Sequence, residues 1–174
     1  TKEFRGGDSV YGESIYTNRF ELLGMWQLPL KEKISISTSY NFHGQNSVYG
    51  DNLFLAGQHT AFGQATWTKK INLHELLAGS SFRYIVYDDN TPATEEDISI
   101  GGATRPQKTI LPGLFVQDEI MITDAQRILL GYRYDHHQVH GHIHSPRVAY
   151  KYTWGDFLTL RANFGTGFRV VNIF

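Results

Sequence analysis

The segment Ile34-Ser-Ile-Ser-Thr-Ser-Tyr-Asn-Phe42 decides the fold. Ile34, Ile36, Tyr40 and Phe42 fall on one side of an extended chain, and Ser35, Ser37, Ser39 and Asn41 on the other. Successive side chains of a strand point to opposite faces, so this is the pattern of a sheet with one apolar and one polar face. The alternation returns further on. Leu158, Leu160, Ala162 and Phe164 oppose Thr159, Arg161 and Asn163, and Ile128, Leu130, Tyr132 and Tyr134 oppose Gly131, Arg133 and Asp135. Val148, Tyr150 and Tyr152 oppose Arg147, Ala149 and Lys151, and Phe82, Tyr84 and Val86 oppose Ser81, Arg83 and Tyr87. Continued along the chain, the pattern predicts eight strands, at 14–28, 33–44, 58–70, 75–89, 112–123, 127–139, 143–153 and 157–169, and needs no helix.

Composition agrees. Of 174 residues, 10 are Tyr, 11 Phe and 17 Gly, a balance that suits strands and turns. A net charge of −1 offers nothing to nucleic acid. With no cysteine there is neither a disulfide nor a thiolate metal site. No apolar run approaches the ~18 residues of a spanning helix, but a membrane barrel needs only alternate apolar residues. The chain opens on Thr1 without an initiator Met or a signal segment and stops at Phe174, so it reads as an internal piece of a longer protein.

Two features favour lipid over a second sheet as the partner of the apolar face. Trp26, Trp67, Tyr84, Tyr132, Tyr134, Tyr150 and Tyr152 lie on it near strand ends, as in interfacial aromatic girdles. The strands also approach the ~9–11 residues that a tilted membrane strand requires. The opposite face carries Arg19, Glu21, Arg83, Arg133, Asp135, Arg147, Lys151 and Arg161, which a wet lumen would accept. Connections are short around 29–32, 71–74, 123–126 and 154–156, and long at about 45–57 and 90–111; the one around Gly141 is short. Short turns on one side and longer loops on the other are an outer-membrane pattern. The strand Leu114–Ile122 resists assignment: Asp118 shares a face with Leu114, Val116 and Ile120, while Glu119 shares the other with Phe115 and Met121.

The second half resembles the TonB-dependent receptor family. The residues are Gly113-Leu-Phe-Val-Gln-Asp-Glu119, Leu130-Gly-Tyr-Arg-Tyr-Asp135, Ser145-Pro-Arg147 and Asn163-Phe-Gly-Thr-Gly-Phe-Arg169, in that order. In the first half, Tyr11-Gly-Glu-Ser-Ile-Tyr-Thr-Asn-Arg19 and Gln45-Asn-Ser-Val-Tyr-Gly50 are similar to its cobalamin-receptor-like branch. The resemblance implies an antiparallel meander forming part of a transmembrane β-barrel of about 22 strands. It implies that residues 1–174 are a partial barrel domain without the plug. It further implies a Gram-negative outer-membrane location and uptake of a scarce ligand such as an iron–siderophore, haem, cobalamin or metal chelate. The partners implied are outer-membrane lipid, the protein's own plug and TonB. Arg83, Arg133, Asp135, Arg147, Arg161 and Arg169 would then face the lumen and plug.

Five of the eight histidines fall within His136-His-Gln-Val-His-Gly-His-Ile-His144. On an extended chain His140, His142 and His144 share a face, and three neutral imidazoles can hold Zn²⁺, Cu²⁺ or Ni²⁺. A polar hairpin tip of drifting composition is the plain alternative. Glu95, Glu96 and Asp97 could bind Ca²⁺, though adjacent acids more often form a solvated loop. Gly165 and Gly167 suit close backbone approach or a bend. There is no nucleophile–base pattern and no cofactor signature, so the expectation is a transporter segment and not an enzyme. Two competing readings are a complete eight-stranded outer-membrane barrel with an adhesive or structural role, and a soluble carbohydrate-binding β-sandwich.

Overall fold

The computed structural model describes residues 12–92, 94 and 106–169. Eight strands follow one another: β1 (Glu13–Gln27), β2 (Lys33–Tyr49), β3 (Asn52–Ile71), β4 (His74–Asp89), β5 (Gln107–Thr123), β6 (Gln126–His137), β7 (Gly141–Trp154) and β8 (Leu158–Gly165). They form one sheet in the order β1-β2-β3-β4-β5-β6-β7-β8, and no helix occurs among the described residues. The all-β meander expected from the alternation is the fold observed.

The strands run longer than the alternation alone suggests. The stretch 45–57, expected as a long loop, is strand on both sides of a two-residue turn at Gly50 and Asp51. Gly50 takes a positive φ of 61°, which a tight reversal requires and glycine accepts without strain. Its polar residues pointed to a loop, but Ser47 and Val48 are buried there and Gln45 Nε2 donates to Ser47 Oγ at 2.8 Å. Ladder hydrogen bonds continue through a polar segment whenever a neighbouring strand is present to accept them. The fifth strand likewise begins at Gln107 instead of 112, and the last ends at Gly165, short of 169. The short connections 72–73, 124–125 and 155–157 fall where expected, as does the turn 138–140 before Gly141.

The described residues divide into two compact units, one of residues 12–24, 38–62, 83–92, 94 and 106–110, the other of 25–37, 63–82 and 111–169. In the first, Tyr40 Oη lies 2.7 Å from His59 Nδ1, and Phe20 and Phe42 flank that pair on the same face. Arg19 and Asn41 both reach Glu21 on the other face. At the end of β4, Asp89 gathers Tyr87 Oη, Thr91 and Thr94 and so shapes the start of the following connection.

The second unit fixes which residues share a face. Register pairs Val116 with Tyr132, Tyr132 with Pro146, Ile128 with Tyr150, Val148 with Phe164 and Tyr152 with Leu160. Directly opposed residues lie on one face, so these form a continuous apolar surface. Leu114, Val148, Leu160 and Phe164 are 59%, 46%, 54% and 72% exposed on it. The opposite face carries Phe115, Gln117 and Glu119, then Arg127, Gly131, Arg133 and Asp135, then Arg147 and Lys151, then Arg161 and Asn163.

The facing of Leu114–Ile122 is thereby settled. Asp118 stands opposite Leu130, on the apolar side, and Glu119 on the polar side. Each has a partner. His74 Nδ1, at the first residue of β4, lies 2.7 Å from Asp118 Oδ2, and Arg127 Nη1 donates to Glu119 at 2.9 Å. His74 adjoins the 72–73 turn, so Asp118 meets its counter-group at the turn end of the sheet.

The connection between β1 and β2 is closed by Glu32, which accepts hydrogen bonds from Lys69 Nζ at 2.7 Å and Trp67 Nε1 at 2.9 Å. The hydrogen bond from Lys69, then that from Trp67, holds this carboxyl below its ordinary value of 4.5. A carboxylate whose folded value is depressed stabilises the fold fully above its unfolded value. That contribution is lost as pH falls through the folded one. Unfolding of the wild type in denaturant is therefore expected to become easier as pH drops below about 4.5. Glu32→Gln should give a flatter profile across that window and a lower midpoint above it. Superimposable profiles would remove Glu32 from the stability balance.

Candidate functional site

The polar face of the second unit carries a built network. Asp135, on β6, is fully buried. Arg133, two residues earlier on the same strand and face, embraces it through Nε at 2.7 Å and Nη2 at 2.6 Å. The same Nη2 donates to Ser81 Oγ on β4 at 2.9 Å. To do so the guanidinium crosses β5, passing 5.8 Å from the centre of the Phe115 ring. Fork-to-fork pairing of guanidinium and carboxylate gives direction as well as strength, and burial makes each partner depend on the other.

Glycines create the room. Gly113 stands directly opposite Asp135, and a Cβ there would lie 2.3 Å from Asp135 Oδ1 and 2.9 Å from both Arg133 Nη2 and Ser81 Oγ. A Cβ on Gly79 would meet the Phe115 ring at 2.4 Å. Arg147 is opposed by Gly131 on one side and Gly165 on the other, and its stem runs within 3.4 Å of where a Gly165 Cβ would stand. Gly165 thus permits the expected close approach, while Gly167 has open space around it. Ser81, Gly113, Phe115 and Gly131 stand in the sequence patterns and motifs, but those patterns do not bring them together, and Gly79 lies outside them. Glycine inside an alternating strand was the available signal.

The remaining expected lumen residues are distributed. Arg83 lies in the first unit, its guanidinium 5.6 Å from the Phe62 ring centre. Arg161 stands opposite Lys151, which itself stands opposite Arg127. Of these three cations in a row, Arg127 is matched by Glu119. Like charges placed directly opposite destabilise a sheet, so the row favours an external anion. Arg169 follows β8 and is exposed.

The histidine-rich hairpin is resolved in full. His142 and His144 lie on the apolar face of β7, each against a tyrosine of β6: His142 Nδ1 is 2.6 Å from Tyr134 Oη, and His144 Nδ1 is 2.5 Å from Tyr132 Oη. His140 lies in the turn, stacked on buried His137, whose Nδ1 accepts the backbone N–H groups of Val139 and His140. The ladder holds His142 and His144 together and leaves His140 apart. Among the described residues no three His, Cys, Asp or Glu side chains converge on a point where a metal ion would sit. Glu95, Glu96 and Asp97 lie outside the described residues.

An antiparallel meander with one continuous exposed apolar face and one face of interlocked charges is a length of β-barrel wall. The chain belongs to the TonB dependent receptor-like, beta-barrel family, which matches residues 4–174. Its fold is similar to that of the siderophore receptor PirA from Acinetobacter baumannii, with 17% identity, a TM-score of 0.66, and coverage of 88% of this chain and 25% of that one. PirA from Pseudomonas aeruginosa gives 15% identity and a TM-score of 0.67, over 92% of this chain and 28% of that one. A mutant ferric enterobactin receptor, PfeA, from the same organism gives 18% identity and 0.64, over 88% and 25%. The chain therefore spans about a quarter of the length of these structures. No curated protein matches it.

Proposed function

We propose that this chain is a run of consecutive wall strands in an outer-membrane receptor of a Gram-negative bacterium, and that the receptor takes up an iron–siderophore with energy relayed by TonB. The observation that carries the reading is the two-faced meander, with exposed Leu, Val and Phe on one side and the Arg133–Asp135–Ser81 network on the other. Lipid suits the first face, and a wet lumen filled by a plug suits the second. Arg83, Arg133, Asp135, Arg147, Arg161 and Arg169 then face the lumen. The Lys151–Arg161 pair, lacking a carboxylate partner among the described residues, offers the plug's acidic groups a charge-assisted contact. The iron–siderophore part of the reading draws on the solved receptors of the same fold. The chemistry expected of such a segment is binding and passage, without catalysis.

The test is uptake by cells lacking the complete receptor and by the same cells complemented with it. Complemented cells should accumulate radio-iron from a ferric siderophore under iron limitation, and disrupting TonB should abolish the gain. Accumulation of cobalamin or haem instead would overturn the ligand and keep the receptor. No TonB-dependent accumulation of any of them would overturn the transport reading.

A further inference from the structure

The hairpin of β6 and β7 brings two histidines face to face. His136 and His142 are directly opposed in the register, one rung inside the closing pair His137–Gly141. Both are exposed, on the face that carries Tyr132, Tyr134 and His144. Their rings stand 5.3 Å apart, centre to centre, with planes at 63°.

That separation is the one a shared metal ion imposes. An imidazole nitrogen bonds Zn²⁺ at ~2.0–2.1 Å, so each ring centre lies about 3.2 Å from the ion. Two rings held at a tetrahedral angle then have their centres about 5.2 Å apart. The backbone ladder supplies this approach before any ion arrives, which lowers the cost of ordering the ligands on binding. The other close histidine pair differs. His137 and His140 stack at 4.7 Å with planes 30° apart, and His137 Nδ1 already accepts the backbone N–H groups of Val139 and His140. Near-parallel rings carry their in-plane lone pairs side by side, and His137 is buried.

His142 also has an outer partner of the kind that ligating histidines keep. Its Nδ1 lies 2.6 Å from Tyr134 Oη, and a hydroxyl can donate or accept. With a metal on His142 Nε2, the ring proton stands on Nδ1 and donates to Tyr134. Such a bond fixes the ring and raises the basicity of the ligating nitrogen.

We infer that His136 and His142 chelate a divalent first-row transition-metal ion, Cu²⁺ before Zn²⁺ or Ni²⁺, with water in the remaining positions. The order is the intrinsic preference of a nitrogen site. Of the three histidines that an extended chain would align, the site keeps only His142. Chelation within one hairpin requires neither lipid nor plug, and an ion bound there ties β6 to β7 and favours the folded hairpin.

The experiment uses the complete receptor in a non-chelating detergent, titrated calorimetrically with Cu²⁺ alone, with Zn²⁺ alone and with Mn²⁺ alone. The wild type should bind Cu²⁺ most tightly and Mn²⁺ least. His136→Gln and His142→Gln should each weaken Cu²⁺ binding by about a hundredfold, because the second ligand of a chelate acts at high effective concentration. The double variant should lose little more than either single one. His140→Gln should leave the isotherm unchanged. Heat-modifiable gel mobility verifies that each variant is assembled. Small losses that add up in the double variant would mean two separate imidazoles and overturn the chelate. A Cu²⁺ isotherm that survives both substitutions does the same. A loss for His140→Gln equal to that for His136→Gln would move the site into the turn and overturn this pairing. A wild type that binds Cu²⁺ no more tightly than Mn²⁺ overturns the inference without recourse to any variant.

Discussion

Replacing Arg133 with methionine is expected to lower the stability of the complete receptor by about 3 kcal/mol, the cost of leaving a buried carboxylate without its partner. Asp135 is fully buried and receives two hydrogen bonds from that guanidinium. The value lies at the low end for a broken buried pair because Arg133 keeps 39% of its side chain exposed. Gly113→Ala should act through the same network, since its Cβ would stand 2.3 Å from Asp135 Oδ1. The double variant Arg133→Met/Asp135→Leu should recover much of the loss, because no buried charge remains. Urea unfolding in lipid vesicles is the measurement. A loss below about 1 kcal/mol for Arg133→Met would match a surface pair and remove the network's structural role.

Val148→Arg is expected to cost about 2–4 kcal/mol, the penalty for arginine on the lipid side at mid-membrane depth. Val148 lies opposite Leu130 and Phe164, midway along β7 between Tyr152 and His144. Leu160→Arg should cost less, because Leu160 stands opposite Tyr152 near one edge, where the penalty fades. Arg161→Leu, one residue along and on the other face, should be tolerated. It also relieves the like-charge pairing with Lys151, an effect on the order of 0.5 kcal/mol. The folded fraction in lipid, read from heat-modifiable gel mobility, separates the three. Equal yields for Val148→Arg and Arg161→Leu would count against the assignment of faces.

The strands were legible because alternation is a property of the local backbone. Ile34 to Phe42, Ile128 to Asp135 and Leu158 to Phe164 each carry their two faces in their own residues, and all three are strands in the structure. Where local composition misled, at 45–57, pairing with a neighbour extended strands through residues that by themselves suit a loop. The Arg and Asp of the network could be picked out as charges on a polar face, but not as partners of Ser81, which lies 52 residues from Arg133 in the chain.

From sequence alone came the class of fold and the two faces of most strands, which follow from the period-two geometry of an extended chain. The barrel wall was implied by the resemblance of the motifs between Gly113 and Arg169 to the receptor family, and the facing of Leu114–Ile122 stayed open. Register was decided only by tertiary structure, because it depends on which residues meet across strands. Register put Asp118 on the apolar side with His74 for a partner. It set Gly113 opposite Asp135, and it divided the histidines into two that pair with tyrosines and one that stays in the turn. Side-chain identity defines what each residue can offer, and the neighbouring strand determines what it meets.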